Sequence, residues 1–333
     1  MQAWLATVRS QSTAVETLRR AVASERVHHA HLFDGPDGVG KELTAFGLAQ
    51  ALVCERRPKG SADACGTCSA CVRAVPRPGA RRPIHPDVVV LERGLYDPAT
   101  IGRRSPEVQD ISIDQVRTLV LSRSAFPPYE GRAKVFIVRR AEELSQPAAN
   151  ALLKTLEEPG ARTHFVLLSS CADALLPTIR SRTQRVRFAA LPDHVVTELL
   201  EDRGIERPRA LDVARLAGGS MATALVLSDA EATSIRRDFV AFAMAALDAR
   251  DLGPALDLAE EAKKGDKGVL LENIGALAAA LGAQAHATAG APDRRAGQAA
   301  ARYELAVAAV DEIEANASAQ LAVESMLLKM RAV

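Results

Sequence analysis

The sequence predicts an α/β domain built around a phosphate-binding loop, carrying a cysteine module and followed by all-helical segments. Three observations predict it. Gly35-Pro36-Asp37-Gly38-Val39-Gly40-Lys41 has the glycines and lysine of a P-loop. Short apolar runs alternate with helical patterns up to about residue 190, as in a parallel sheet flanked by helices. From about residue 191 onward there is no convincing strand pattern.

The P-loop comes first. His31-Leu32-Phe33-Asp34 is an apolar strand leading in, and Leu43 to Val53 is an Ala/Leu-rich helix leading out. In that setting Gly35, Gly38 and Gly40 let successive backbone N–H groups converge on phosphate at a helix N-terminus, while Lys41 adds a point charge. Position 42 departs from the pattern. A Ser or Thr hydroxyl after the lysine ligates Mg²⁺, and Glu42 has no hydroxyl and a negative charge. A plain glycine-rich turn is the alternative reading.

Four of the five cysteines follow, Cys54 and then Cys65-x-x-Cys68-x-x-Cys71. Thiolates at this spacing can wrap one tetrahedral ion, with Gly66 allowing the tight turn. Zn²⁺ is the expected ion, in a structural role because four sulfurs leave no open position. Disulfides and an iron–sulfur cluster are the alternatives.

Asp87-Val88-Val89-Val90-Leu91 is the next apolar run, and the Pro-, Arg- and Gly-rich stretch around it, especially Gly94 to Gln109, reads as surface loop. Val135-Phe136-Ile137-Val138 is the strand that should end in the carboxylates of a hydrolase, which hold Mg²⁺ and orient water. It ends instead in Arg139-Arg140, and a guanidinium cannot ligate a metal. Glu142 and Glu143 read as the solvated start of the next segment, with a shifted register that uses Glu142 as the alternative. Ser145 to Pro159 is a helix with a Ser cap, Pro147 in its first turn and Pro159 as its stop. Its apolar face is Ala149, Leu152, Leu153 and Leu156, with Asn150, Lys154 and Glu157 elsewhere.

Phe165-Val166-Leu167-Leu168 and Val186-Arg187-Phe188 complete the strands, and Cys171 between them reads as a buried core thiol. Leu191-Pro192-Asp193 opens the helical region, Ala217-Gly218-Gly219-Ser220 interrupts it, and Ala/Leu-rich helices run to Val333. His286 to Gln298 reads as a loop between two of them. The last helix, Gln320 to Met330, places Leu321, Met326, Leu327 and Leu328 in an apolar-rich stretch suited to packing.

Composition bounds the partners. A chain of 333 residues with 48% hydrophobic content can form two or three domains. A net charge of +1 argues against a strongly basic nucleic-acid glove. No uncharged apolar run of about 18 residues and no basic-then-apolar N-terminus is present, so a cytoplasmic protein without membrane contact is expected.

His29-Ala30-His31-Leu32-Phe33 before the P-loop, the four-cysteine module after it, the run Asn150 to Pro159 and Ser181-Arg182-Thr183 together resemble bacterial clamp-loader subunits of the AAA+ class. The resemblance covers roughly the first 190 residues. It implies an AAA+ nucleotide-binding-like domain over 1–190 with the zinc module near 54–71, a helical lid over 191–236 and a helical collar for oligomerisation over 237–333. Two DNA polymerase III subunits share these motifs, the ATP-hydrolysing motor and the non-hydrolysing delta-prime subunit. Arg139-Arg140 stand where the motor has Asp-Glu, and Ala222 stands where its lid carries a nucleotide-sensing arginine after Gly219-Ser220. These departures favour the delta-prime type. The resemblance then implies motor subunits and a delta subunit as partners, with the sliding clamp and primer–template DNA reached through the complex. It implies that Arg182 acts in trans on a neighbouring motor's ATP, with Thr183 in place of the motif's cysteine. ATP or ADP could still occupy the degenerate loop, but hydrolysis is not expected. A basic surface cluster with Arg180 and Arg185 is the plain alternative for Arg182. A hydrolysing motor, or a zinc-containing nucleic-acid-binding regulator on a P-loop scaffold, are the alternatives for the chain.

Overall fold

The computed structural model describes residues 3–105, 110–249, 251–288, 294–314 and 317–333. The chain forms two compact units, Met1–Leu225 and Val226–Val333.

The first unit is organised by five parallel strands, β1 (Ala30–Asp34), β2 (Val88–Leu91), β3 (Lys134–Val138), β4 (Thr163–Ser169) and β5 (Gln184–Arg187), in the order β2-β3-β4-β1-β5. The near-continuous Val, Ile, Leu and Phe content of β2, β3 and β4 is that of strands covered on both faces, whereas the edge strand β5 buries only Val186. Register puts Phe165 of β4 between Ala30 and Phe136, and the Phe136 and Phe165 rings stack 5.1 Å apart. That row belongs to a core shared with Leu152 and Leu156.

Helices of this unit are α1 (Ser12–Ala23), α2 (Lys41–Val53), α3 (Ser69–Arg73), α4 (Ile113–Val116), α5 (Ser122–Ser124), α6 (Gln146–Glu157), α7 (Pro177–Arg180), α8 (Asp193–Glu201), α9 (Arg207–Leu216) and, running to its edge, α10 (Met221–Ser228). A π-helical stretch, Arg117–Leu121, joins α4 to α5. In α6 the Ser145 hydroxyl accepts from Ala148 N at 3.3 Å, and Ala149, Leu152 and Leu156 are buried while Asn150, Lys154 and Glu157 are exposed. Leu153 is half-buried.

Three expectations need correction here. Cys171 is exposed, because β4 ends at Ser169 and the chain has already left the core. Glu142 is not solvated: it is half-buried and accepts from Ser170 N at 3.1 Å and Ser170 Oγ at 2.7 Å. The stretch from Gly94 is not simply surface loop, since a 3-10 turn, Pro98–Ile101, buries Ile101 in the core, and Tyr96 packs against it while donating to Val90 O at 2.8 Å. Residues 106–109 of that expected loop lie outside the described residues.

The second unit is helical: α11 (Ala230–Asp248), α12 (Gly253–Lys264), α13 (Lys267–Thr288), α14 (Arg294–Glu314) and α15 (Ala319–Ala332). Its core joins Leu258, Ile274, Leu277, Leu281, Met326 and Leu327. In α15, Met326 and Leu327 are buried, Leu328 is half-buried and Leu321 is exposed. The loop expected from His286 to Gln298 is shorter, with α13 reaching Thr288 and α14 starting at Arg294; residues 289–293 lie outside the described residues. Alanine is the best helix former, so an Ala-rich stretch extends helices where its Gly and Pro suggested a break. Within α13, Lys267–Ala285 is long and apolar enough to cross a membrane by length and composition. Its Leu270, Ile274, Leu277, Ala278 and Leu281 are buried in this unit's core.

Candidate nucleotide and metal sites

In open parallel sheets ligands bind beyond the carboxyl ends of the strands, where neighbours in the sheet are not neighbours in sequence. Here β1 lies between β4 and β5, and the segments leaving β1, β2, β3 and β4 line a cavity of 510 Å³. Asp37, Gly38, Gly40, Lys41 and Glu42 come from the P-loop, Glu92 from the end of β2, Arg139, Arg140 and Glu142 from beyond β3, and Ser169 and Ser170 from the end of β4.

The loop has the backbone its glycines permit. Gly38 and Gly40 have φ of 73° and 100°, in the left-handed region. Gly38 also meets the start of α10: Met221 N donates to Gly38 O at 3.2 Å, and a Cβ at position 38 would lie 2.2 Å from Ala222 N. Where the resemblance expects a sensing arginine, the small side chain of Ala222 lets a helix end close against the loop.

Lys41 is turned inward. Its Nζ donates to Gly35 O and to Pro36 O at 2.7 Å, and stands 3.4 Å from Asp37 Oδ1. Burial holds its pKa below the ordinary lysine value, against the opposing pull of Asp37.

The two positions that depart from a hydrolase meet each other. Arg139 Nη2 lies 2.5 Å from Glu42 Oε1 and Arg139 Nη1 lies 2.6 Å from Glu92 Oε2. The guanidinium also sits 5.8 Å from the centre of the Phe46 ring. Glu92 is desolvated, which raises its pKa, but hydrogen bonds from Arg139 and Arg81 outweigh this and hold it below the usual carboxylate value. In a hydrolysing site the residue after the lysine and the carboxylate ending the strand hold Mg²⁺ between them. In this chain those positions are an anion and a cation in direct contact, and a second carboxylate, Glu92, completes the bridge. Glu92 was not anticipated; the only signal was a carboxylate directly following an apolar strand. The other candidate carboxylate, Glu142, is directed at Ser170, and its Oε2 is buried without a partner.

Arg182 lies elsewhere in this unit, in the turn after α7. Its Nη1 donates to Thr178 O at 3.0 Å and Ser181 Oγ at 3.3 Å, and its Nη2 is 2.5 Å from Glu157 Oε1. Its neighbours are also paired, Arg180 with Asp173 and Arg185 with Asp34, each at 2.5 Å.

Cys54, at the end of α2, and Cys65, Cys68 and Cys71, around the start of α3, bring their four Sγ atoms within 4.8 Å of one another. Cys65 Sγ and Cys71 Sγ are 3.8 Å apart, close to the edge of a tetrahedron with metal–sulfur bonds of about 2.3 Å. Backbone amides of Cys65, Cys68 and Cys71 donate to Cys54, Cys65 and Cys68 sulfurs at 3.4, 3.2 and 3.4 Å, contacts that favour thiolate. All four are free cysteines in this structure, and their clustered sulfurs could hold one metal ion. The residues present therefore fit a four-thiolate ion.

A solved structure of a DNA polymerase III gamma subunit-related protein from Thermotoga maritima aligns over 95% of this chain and 98% of its own, with a TM-score of 0.51 and 20% identity, a likeness of fold. The gamma/tau subunit of DNA polymerase III from Mycobacterium tuberculosis is 35% identical over 231 residues, 67% of this chain and 36% of that protein. Delta' subunits of DNA polymerase III from Pseudomonas aeruginosa and Bacillus subtilis are 40% and 30% identical, over 46% and 62% of this chain and 41% and 54% of theirs. The chain thus spans only about a third of the gamma/tau relative and about half of the delta' relatives. The sequence model of the family described as DNA polymerase III, delta subunit matches residues 10–192, more than half of the chain. The chain belongs to that family, among the bacterial clamp-loader proteins.

Proposed function

We propose that the chain is a delta-prime-type clamp-loader subunit that hydrolyses no ATP itself and supplies Arg182 to a neighbouring motor subunit's ATP site. The observation that carries the reading is the Glu42–Arg139–Glu92 bridge. A guanidinium held by two carboxylates supplies neither a metal ligand nor a free cation to the γ-phosphate, and Lys41 is engaged with loop carbonyls. A subunit without its own hydrolysis contributes to an ATP-driven assembly through a partner's site. An arginine supplied in trans acts by stabilising charge on the transferring phosphoryl group, an effect on the order of 10³–10⁵ in rate in other systems.

In this reading 191–236 is a lid and 237–333 an oligomerising collar, and the protein works in the cytoplasm with motor and delta subunits. Sliding clamp and primer–template DNA are reached through that complex. The ion at Cys54, Cys65, Cys68 and Cys71 is zinc, which supplies a cross-link that orders the segment between α2 and α3 and takes no part in catalysis. Any nucleotide at Gly35, Gly38, Gly40 and Lys41 is held without turnover.

The test has two arms. The isolated chain should show no ATP turnover with primed DNA, and turnover abolished by Lys41→Ala would refute the non-hydrolysing reading. In a reconstituted complex, Arg182→Ala should leave assembly intact and slow clamp- and DNA-stimulated ATPase at least tenfold at the affected site. An unchanged rate of clamp loading would return Arg182 to a surface role.

A further inference from the structure

We infer that Glu157 is a positioning residue for Arg182, its carboxylate fixing the guanidinium in the orientation from which it meets a neighbouring subunit's phosphate. The inference rests on the trans-acting reading of Arg182 given above.

Geometry restrains the group at three points. Arg182 Nη2 stands 2.5 Å from Glu157 Oε1 on α6, while Nη1 donates to Thr178 O at 3.0 Å and Ser181 Oγ at 3.3 Å on the α7 turn. Acceptors on two separate elements define the plane of a rigid group. A guanidinium has five N–H donors, so three such contacts hold it and leave donors over for a phosphate oxygen.

The place of Glu157 is not explained by its own helix. It is the last residue of α6, where the helix dipole disfavours a negative charge. A cation beside it offsets that cost; Lys154 lies in the same last turn, and Arg182 is the cation whose ion pair with Glu157 is seen at 2.5 Å. The end of α6 is itself anchored, because His29 Nε2 donates to Leu156 O at 2.9 Å and ties the last turn to the start of β1. Burial, together with the neighbouring His28, holds the His29 pKa below its ordinary value, and because a carbonyl only accepts, Nε2 is the donor in this contact. Sheet, helix end, carboxylate and guanidinium thus form one connected support.

The Glu157 and Arg182 side chains are 47% and 34% exposed, so the pair contributes little to folding. Its effect lies in orientation. A free arginine side chain samples many rotamers, and restricting them before the encounter removes an entropic cost from the reaction step.

The experiment is steady-state ATPase of the reconstituted complex with clamp and primed DNA, carried out as a double-mutant cycle. Glu157→Gln should lower kcat about three- to thirtyfold with KM for ATP unchanged. In the Arg182→Ala background Glu157→Gln should add nothing. The inference is overturned if Glu157→Gln leaves kcat unchanged or raises it, or if it lowers kcat by the same factor in both backgrounds. A loss of fold would appear in both backgrounds, so the cycle separates structure from positioning. Failure of the underlying reading looks different: Arg182→Ala alone would leave the rate at its unmodified value.

Discussion

Replacing Arg139 tests whether its guanidinium holds the degenerate site together. In Arg139→Met the stem and its contact with Phe46 are largely kept, while the charge that bridges Glu42 and Glu92 is lost. The Arg139 and Glu92 side chains are only 12% and 22% exposed, so that half of the bridge is nearer the buried limit, where removing one partner costs about 3–5 kcal/mol. Glu42 is 47% exposed, and its half adds roughly 0.2–1 kcal/mol. Partial solvation of Glu92 and its remaining partner Arg81 reduce the first figure. About 3 kcal/mol is a reasonable total. For a unit of this size it lowers the melting temperature by roughly 6–12 °C. Sign of the pH dependence follows from Glu92. Its pKa in the folded chain is depressed, so its stabilisation is complete above the unfolded carboxylate value and is lost as pH falls through the folded one. Without Arg139, desolvation is opposed by Arg81 alone, the pKa rises, and the variant gains a proton that relieves its deficit as pH is lowered. Calorimetry at pH 7.5 and 5.5, with Arg139→Lys as a second variant, measures both effects. Lysine should rescue poorly because a single ammonium does not present two separate nitrogens to two carboxylates. A deficit below about 1 kcal/mol that does not change with pH would refute the account.

Two further outcomes concern features away from the P-loop. Purified protein should contain one zinc ion per chain, and Cys65→Ser should lose it together with order between α2 and α3, while strand and helix content elsewhere persists; metal analysis and circular dichroism measure this, and four freely titrating thiols in metal-free native protein would count against it. Asp87 is buried and accepts from the amides of Tyr129, Glu130 and Gly131 at 2.6, 2.9 and 2.7 Å. Burial raises its pKa, but the three amides outweigh it and hold the pKa below the usual value, so its contribution is present above the unfolded carboxylate value and lost as pH falls through the folded one. Asp87→Ala should cost about 2–4 kcal/mol at neutral pH by leaving those donors unpaired, as read from urea unfolding, and a cost equal to that of an exposed Asp→Ala change would show the turn finds other acceptors.

Much of the fold was legible because its signals are local. Apolar runs near 31–34, 88–91, 135–138, 165–168 and 186–188 coincide with β1 to β5, and the Ser145 cap and Pro147 mark the start of α6. The cysteine spacing pointed to the cluster that the four sulfurs form. What escaped depends on distance along the chain or on ambiguous composition. Glu42 and Arg139 are 97 residues apart, and nothing local shows that the two positions departing from the P-loop pattern become each other's partner. Glu157 and Arg182 are likewise joined only by the packing of α6 against the α7 turn. Cys171 was misplaced because hydrophobic content says where a strand lies but not the residue at which the chain leaves the sheet.

The pairing of Glu42 with Arg139 bears on what kind of site this is. Had only the loop changed, Glu42 would add a carboxylate to a cavity already lined by Asp37, Glu92 and Glu142. Had only the strand end changed, Arg139 would sit without Glu42 beside Lys41 and Arg140, a cationic pocket suited to capturing phosphate. Together they cancel: one guanidinium meets two carboxylates at hydrogen-bonding distance, and Lys41 is satisfied by the loop itself. A site in which every central cation already has an internal partner must break ion pairs before it can bind a polyphosphate, which a metal-dependent site need not do. Under the non-hydrolysing reading proposed above, the P-loop geometry persists here mainly as scaffold. Its glycines still serve it, since Gly38 accommodates the start of α10 that closes against the loop.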